Sequence, residues 1–249
     1  MKKICVLFII LSLVATVHAA GNRVEYMVDN AVFEGFFISP APRAPLVIMI
    51  HDWDGLGDYE VRRANMLADQ GYAVFAADMF GKGIRPKEIA ERKRLTGELY
   101  QNRERMRRLL TGTLAAAADQ GADIENAVAM GYCFGGTVVL ELARSGADVK
   151  GFVSFHGGLA TPSGQSYART SGRLLILHGS ADTAVTINEF AELATALERH
   201  GVAHEMITYG GAPHAFSVFG TDRYREDADR KSWQRFLDFL DQTLSSRPG

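Results

Sequence analysis

Short, unbroken apolar runs constrain this chain more than any other feature. They lie at residues 46–50 (LVIMI), 73–77 (AVFAA), 128–131, 151–155 and 174–178, with a weaker one at 205–208. Each has strand length, and most are continuous rather than alternating. That suits strands covered on both faces. Helical patterns fall between them, at 58–70 with a stop at Gly71, at 135–144, at 187–200 with a stop at Gly201, and at 224–244. Strand and helix in alternation predict an α/β fold with a mainly parallel sheet and helices on both faces. Residues 24–28 and 32–38 flank Asp29-Asn30-Ala31 and predict a hairpin ahead of that core.

The length of 249 residues fits one such domain, and no internal repeat or low-complexity linker divides it. At 47% hydrophobic and 22% charged, the chain is not of the disordered class. A net charge of −2 supplies no overall field for nucleic acid or an anionic membrane. Residues 86–120 form a long insertion. Lys87, Arg92, Lys93, Arg94, Arg103, Arg105, Arg107 and Arg108 alternate there with Glu88, Glu91, Glu98 and Glu104. The alternation favours a pair of solvated, ion-paired helices over a basic patch for an anionic partner.

The N-terminus has the layout of a secretory signal. Lys2 and Lys3 precede an apolar stretch over 4–17, and Val17-His18-Ala19 offers a cleavage site after Ala19. The alternative is a membrane anchor, for which the run is short. The expected organisation is a signal peptide over 1–19, one domain over 20–249, and an exported protein, periplasmic or secreted. No second apolar run of that length follows, so no stable membrane insertion is expected after cleavage. The chain holds two cysteines, Cys5 and Cys133. Cys5 leaves with the signal, so Cys133 has no internal disulfide partner.

Cys133 sits in Gly131-Tyr132-Cys133-Phe134-Gly135-Gly136, after an apolar strand and before a helix. This is the strand–turn–helix elbow that raises a nucleophile above a sheet, with sulfur in place of oxygen. The small residues allow the sharp turn, and the helix N-terminus favours a thiolate. A buried cysteine in a glycine-rich turn is the plainer alternative. Asp182 follows the 174–178 strand and can orient a histidine, although aspartate there also suits a helix cap. Thr186 is the better cap candidate. His214 lies on a Gly/Pro loop before the last helix, as a general base requires. Cys133, Asp182 and His214 follow the α/β-hydrolase order of nucleophile, acid and base. The loop His51-Asp52-Trp53-Asp54-Gly55 follows the 46–50 strand. Its Trp53 N–H, with the N–H of Phe134, is a candidate oxyanion donor. Met79, Phe80, Tyr132 and Phe216, with Trp53 and Phe134, are candidates for an apolar pocket wall. His156 and His178 end strands and either line the site or brace its loops.

Together the Gly-Tyr-Cys-Phe-Gly-Gly turn, the His-Asp-Trp loop, Asp78-Met79-Phe80, the segment from His178 to Asp182 and Pro213-His214-Ala215-Phe216 resemble the dienelactone hydrolase family. The likeness runs from about Val24 to Leu244. It implies an α/β-hydrolase fold with an eight-stranded, mostly parallel sheet. It implies a triad of Cys133, His214 and Asp182, and hydrolysis of small-molecule esters or lactones with no metal and no organic cofactor. The family's founding enzymes carry a glutamate that contacts the resting thiol and helps to switch it on. Asp52, one methylene shorter, stands at that position. Those enzymes also hold a substrate carboxylate with two arginines, and the matching positions here are Lys82 and Val218. The resemblance therefore speaks more for the chemistry than for the dienelactone substrate. A binding protein that kept the fold and lost efficient catalysis is the alternative from another class.

Overall fold

The structure, a computed structural model, describes residues 20–244. The expected signal peptide, with Cys5, lies outside the described residues. Chain order is β1 (Asn22–Val28), β2 (Ala31–Ile38), β3 (Pro45–Ile50), α1 (Asp58–Ala68), β4 (Ala73–Ala77), α2 (Ile89–Gln101) and α3 (Arg103–Asp119). It continues with β5 (Asp123–Tyr132), α4 (Phe134–Ser145), β6 (Gly151–Phe155), β7 (Arg173–Gly179), α5 (Ile187–Arg199), β8 (His204–Tyr209) and α6 (Glu226–Thr243).

Asp29 and Asn30 both have positive φ, 50° and 61°, and Val28 pairs with Ala31. This is a two-residue hairpin turn of the kind that such short polar residues tolerate. The eight strands form one sheet in the order β1-β2-β4-β3-β5-β6-β7-β8. β1 and β2 are antiparallel to their neighbours, and every pair from β4 to β8 is parallel. The continuous apolar runs are explained by this arrangement. Leu46, Ile48 and Ile50 of β3 face the core beneath α2 to α5, while Val47 and Met49 face α1 and α6. Both sets are buried, so neither register position tolerates a polar side chain. Among the described residues no helix is long and apolar enough to cross a membrane.

The insertion does form two helices, but they are not simply solvated. Leu95 and Leu99 of α2, and Met106, Leu109, Leu110, Ala116 and Ala117 of α3, are buried. Leucines and alanines at helical spacing dock the pair on the sheet while the charged residues keep to the other faces. Arg103 and Arg107 reach the fully buried Glu141 of α4, at 3.1 and 2.5 Å, and Arg108 reaches Asp29 at 2.9 Å. Arg92 and Arg94 likewise lie within 4.0 Å of Asp54 and Glu98, so much of the basic charge is paired with acids of the same chain, against the reading of an open basic patch.

The order in which strands are added reverses at β3, with β4, β3 and β5 still parallel. β4 lies to one side of it and β5 to the other, so the loops after β3 and β5 diverge above a crevice at the strands' carboxyl ends. Such crevices are where open α/β sheets bind ligands.

Candidate active site

Gly131 ends β5 beside Ile50 of β3. This pairing sets the Cys133 turn next to the loop that starts at His51. The turn is tight: a Cβ on Gly131 would lie 2.3 Å from the Gly135 carbonyl carbon, and one on Gly135 would lie 2.3 Å from the Ile50 oxygen. Cys133 has φ 49° and ψ −109°. A side chain in that region is held by its surroundings against an intrinsic cost of about 1–3 kcal/mol. The turn leads directly into α4, which begins at Phe134, one residue earlier than its sequence pattern indicates.

Three side chains meet in line. The Cys133 Sγ is 3.1 Å from His214 Nε2, and His214 Nδ1 is 2.7 Å from Asp182 Oδ2. The other oxygen of Asp182 accepts the N–H groups of Ala184 and Val185 at 2.8 and 2.9 Å. Burial acts to raise the Asp182 pKa. The hydrogen bonds from His214, Val185 and Ala184 outweigh it and hold this carboxyl below the usual range. An ionised Asp182 fixes the proton on Nδ1 and leaves Nε2 free to accept one from sulfur. Helix capping is done by Thr186, which accepts the Glu189 N–H while the Glu189 carboxylate accepts the Thr186 N–H.

Asp52 reaches the thiol despite its short side chain. Its carboxylate is hydrogen-bonded to Cys133 and accepts the Trp53 N–H at 2.5 Å. Burial pushes Asp52 up to about 6. Cys133 is pushed well above the ordinary thiol range by burial first, then by the Asp52 charge and hydrogen bond. The Phe134 N–H, directed at the sulfur, works in the opposite sense. The resting group is a neutral thiol held between a carboxylate and an imidazole. Both candidate oxyanion donors, the N–H groups of Trp53 and Phe134, already face negative or polarisable atoms.

A pocket of about 390 Å³ opens over the sulfur, lined by Trp53, Tyr100, Phe134, Thr137, Val185, Ala215 and Arg223, with Asp52, Cys133 and His214 at its floor. A larger hollow of about 780 Å³ lies at the opposite ends of β5 and β6, among Glu125, Asp148, Lys150 and Arg173, and holds no such set of groups. Several expected wall residues do not line the pocket. Tyr132 is fully buried on the far side of the sheet, beside Tyr59 and Phe155. Phe216 packs against His156 and Tyr209. Met79 and Phe80 are buried because their loop is braced from within. Met79 N–H donates to His51 Nε2 at 3.1 Å, and the amides of Phe80 and Gly81 donate to Asp78 at 3.0 and 3.1 Å. His51 and Asp78 thus tie loops together. Lys82 sits outside the pocket, with its Nζ 2.5 Å from Glu25. Val218 does not line the pocket either.

Tyr100 and Thr137 escaped the reading of the sequence. The Tyr100 hydroxyl bonds to Thr137, and Thr137 Oγ1 accepts the Gly158 N–H at 2.9 Å. Nothing local marks a tyrosine at the end of a charged helix as a pocket wall. Behind His214, His156 bonds Ser217 Oγ at 2.9 Å and presents its ring edge-on to His214, with centroids 5.4 Å apart. Burial holds His156 well below the ordinary histidine range. It therefore adds no charge beside His214. His178 is also buried, stacks on Phe190, and braces rather than lines the site. Among the described residues no cluster of His, Cys, Asp or Glu is arranged to hold a metal ion.

A family model described as "Dienelactone hydrolase family" matches residues 33–244. The chain belongs to the dienelactone hydrolase family. Membership makes it a hydrolase of the ester- and lactone-cleaving kind. Relatives include a carboxymethylenebutenolidase candidate of Yersinia pestis, 24% identical over 208 residues, 80% of this chain and 78% of the relative. A similarly named protein of Synechocystis is 25% identical over 224 residues, 83% of this chain and 90% of the relative. Among solved structures, a dienelactone hydrolase-like promiscuous phosphotriesterase from metagenomic libraries is 28% identical with a TM-score of 0.85. That alignment covers 92% of this chain and 100% of the other.

Proposed function

We propose that the chain is an exported, cofactor-free hydrolase of carboxylic esters or lactones that works through a Cys-His-Asp triad and an acyl-enzyme. The observation that carries this reading is the line Asp182–His214–Cys133, at 2.7 and 3.1 Å, beneath a pocket open to the sulfur. In the first half-reaction the thiol proton moves to His214 Nε2 and the sulfur attacks the ester carbonyl. The carbonyl oxygen takes the negative charge and is held by the N–H groups of Phe134 and Trp53. The C–O bond to the alcohol then breaks, and the alcohol leaves with the proton from His214. In the second half-reaction water gives its proton to His214, attacks the thioester, and releases the acid and the thiol. Asp182 stabilises the imidazolium formed in each half.

Asp52 has a second duty in this scheme. Substrate oxygen entering between Trp53 and Phe134 displaces the Asp52 carboxylate from the Trp53 amide. That exchange weakens its hold on the thiol at the moment when sulfur must ionise. Export rests on Lys2, Lys3, the apolar stretch over 4–17 and the Val17-His18-Ala19 site.

The test is turnover of p-nitrophenyl esters, lactones and a phosphotriester by the purified protein, with Cys133→Ala as control. The variant is expected to fold normally and lose ester turnover. Undiminished ester turnover by Cys133→Ala overturns the mechanism. The N-terminal mass of protein recovered outside the cytoplasm tests export, and a species beginning at Ala20 is expected.

A further inference from the structure

His156 follows the last residue of β6 and is left-handed, with φ 39°. A histidine holds that conformation only where its surroundings fix it. Three residues of the loop after β8 meet its buried ring. The rings of His214 and Phe216 each lie edge-on to it, both at 5.4 Å between centroids. Ser217 Oγ is hydrogen-bonded to His156 Nε2 at 2.9 Å. Between these contacts Ala215 is also left-handed, with φ 62°. One side chain at the end of the sheet thus grips the base's loop on both sides of a strained residue.

The same corner holds the nucleophile. The Phe155 carbonyl accepts the Cys133 N–H at 3.0 Å, and the His156 N–H donates to the Leu177 carbonyl at 2.8 Å. Residues 155 and 156 therefore reach both partners of the 3.1 Å contact between sulfur and imidazole, one through backbone and one through a side chain. Asp182 bonds His214 at Nδ1 alone. One such bond fixes the tautomer but leaves the ring free to tilt about it, and the His156 ring blocks that tilt on one side. The charged and titratable groups that face His156 are His214, Asp182, Arg63 and Tyr132. Burial keeps His156 neutral, so it restrains His214 without repelling the imidazolium.

We propose that His156 is a positioning residue: through its ring and through Ser217 it holds His214 at the tilt and distance needed to take the Cys133 proton. The proposal rests on the triad reading of the site and adds a fourth side chain to it.

The test uses His156→Asn, His156→Gln, Ser217→Ala and the double variant His156→Asn with Ser217→Ala. Asparagine accepts positive φ but is too short to reach Ser217, whereas glutamine reaches it. For p-nitrophenyl butyrate, His156→Asn should lower kcat about tenfold or more and leave KM within about twofold. His156→Gln should recover part of the loss. Ser217→Ala should lose less, and nothing further on top of His156→Asn. A second readout needs no turnover. The pH profile of Cys133 alkylation by iodoacetamide should move in His156→Asn toward that of His214→Ala. Denaturant unfolding checks that each variant is folded. A folded His156→Asn with wild-type kcat and a wild-type alkylation profile overturns the proposal. If His156→Asn does not fold, the same result in Ser217→Ala overturns it. If the wild type hydrolyses no ester, the hydrolase reading fails instead, and the alkylation profiles alone decide the role of His156.

Discussion

The Asp52 carboxylate accepts the amide proton of Trp53, the next residue in the chain, at 2.5 Å, while it also holds the Cys133 thiol. One short side chain therefore links the thiol to a candidate oxyanion donor. Its charge opposes ionisation of the sulfur. Asp52→Asn removes the charge at nearly constant shape, and Cys133 should react faster with iodoacetamide, by about tenfold for each unit the thiol pKa falls. Asp52 ionises at about 6. The ratio of variant to wild-type rates should be large above that pH and approach one below it, where the wild-type carboxyl is itself neutral. A ratio that does not change with pH would count against this coupling.

Gly135 lies against the β3 backbone, where a Cβ would fall 2.3 Å from the Ile50 carbonyl oxygen. Neither partner is a flexible side-chain tip, so Gly135→Ala must shift α4 or the His51 loop. A loss of about 1–3 kcal/mol in denaturant unfolding is expected from the overpacking. Ester turnover should fall more steeply than stability, because the same shift misaligns the sulfur with His214. Turnover at the wild-type level in a stable variant would contradict this.

Glu60 is buried near the start of α1, where it accepts the Gly57 amide at 2.9 Å. Burial pushes its carboxyl up to about 8, from an ordinary value of 4.5. Between those values the folded protein holds a proton that the unfolded chain has released. Glu60's contribution to stability therefore falls as pH rises through that window and is level above it. Glu60→Gln lacks this titration. Unfolding free energies from denaturant titrations at about pH 5 and about pH 8 should differ less in the variant than in the wild type, by an amount on the order of 1 kcal/mol or more.

Arg63 and Asp229 form a buried ion pair between α1 and α6, and Arg63 also donates to the Ser217 carbonyl at 3.0 Å. Removing one partner leaves a buried charge unpaired. Arg63→Met should cost about 3–5 kcal/mol, and Arg63→Met with Asp229→Leu should recover much of it. Unfolding free energies from the complete double-mutant cycle measure the coupling. The Ser217 hydroxyl bonds His156, which packs on His214, so the single variant should also lower turnover.

Much of this molecule is written in local sequence. The apolar runs identify the inner strands because a strand buried on both faces can carry little else. Asp29-Asn30 marks the hairpin because its turn needs residues that accept positive φ. The glycines flanking Cys133 mark the elbow because backbone meets backbone there. The order of Cys133, Asp182 and His214 follows from the ends of β5 and β7 and the loop after β8. The pocket wall was not legible in the same way. Tyr132 and Phe216 carry the right chemistry for a wall but face the other side of the sheet, a choice made by register and loop path. Tyr100 and Arg223 look like ordinary surface residues in sequence. Only the docking of α2 and the fold of the segment before α6 bring them to the sulfur. Secondary structure and the nucleophile's turn depend on neighbours along the chain. A pocket depends on which distant segments the finished core leaves side by side.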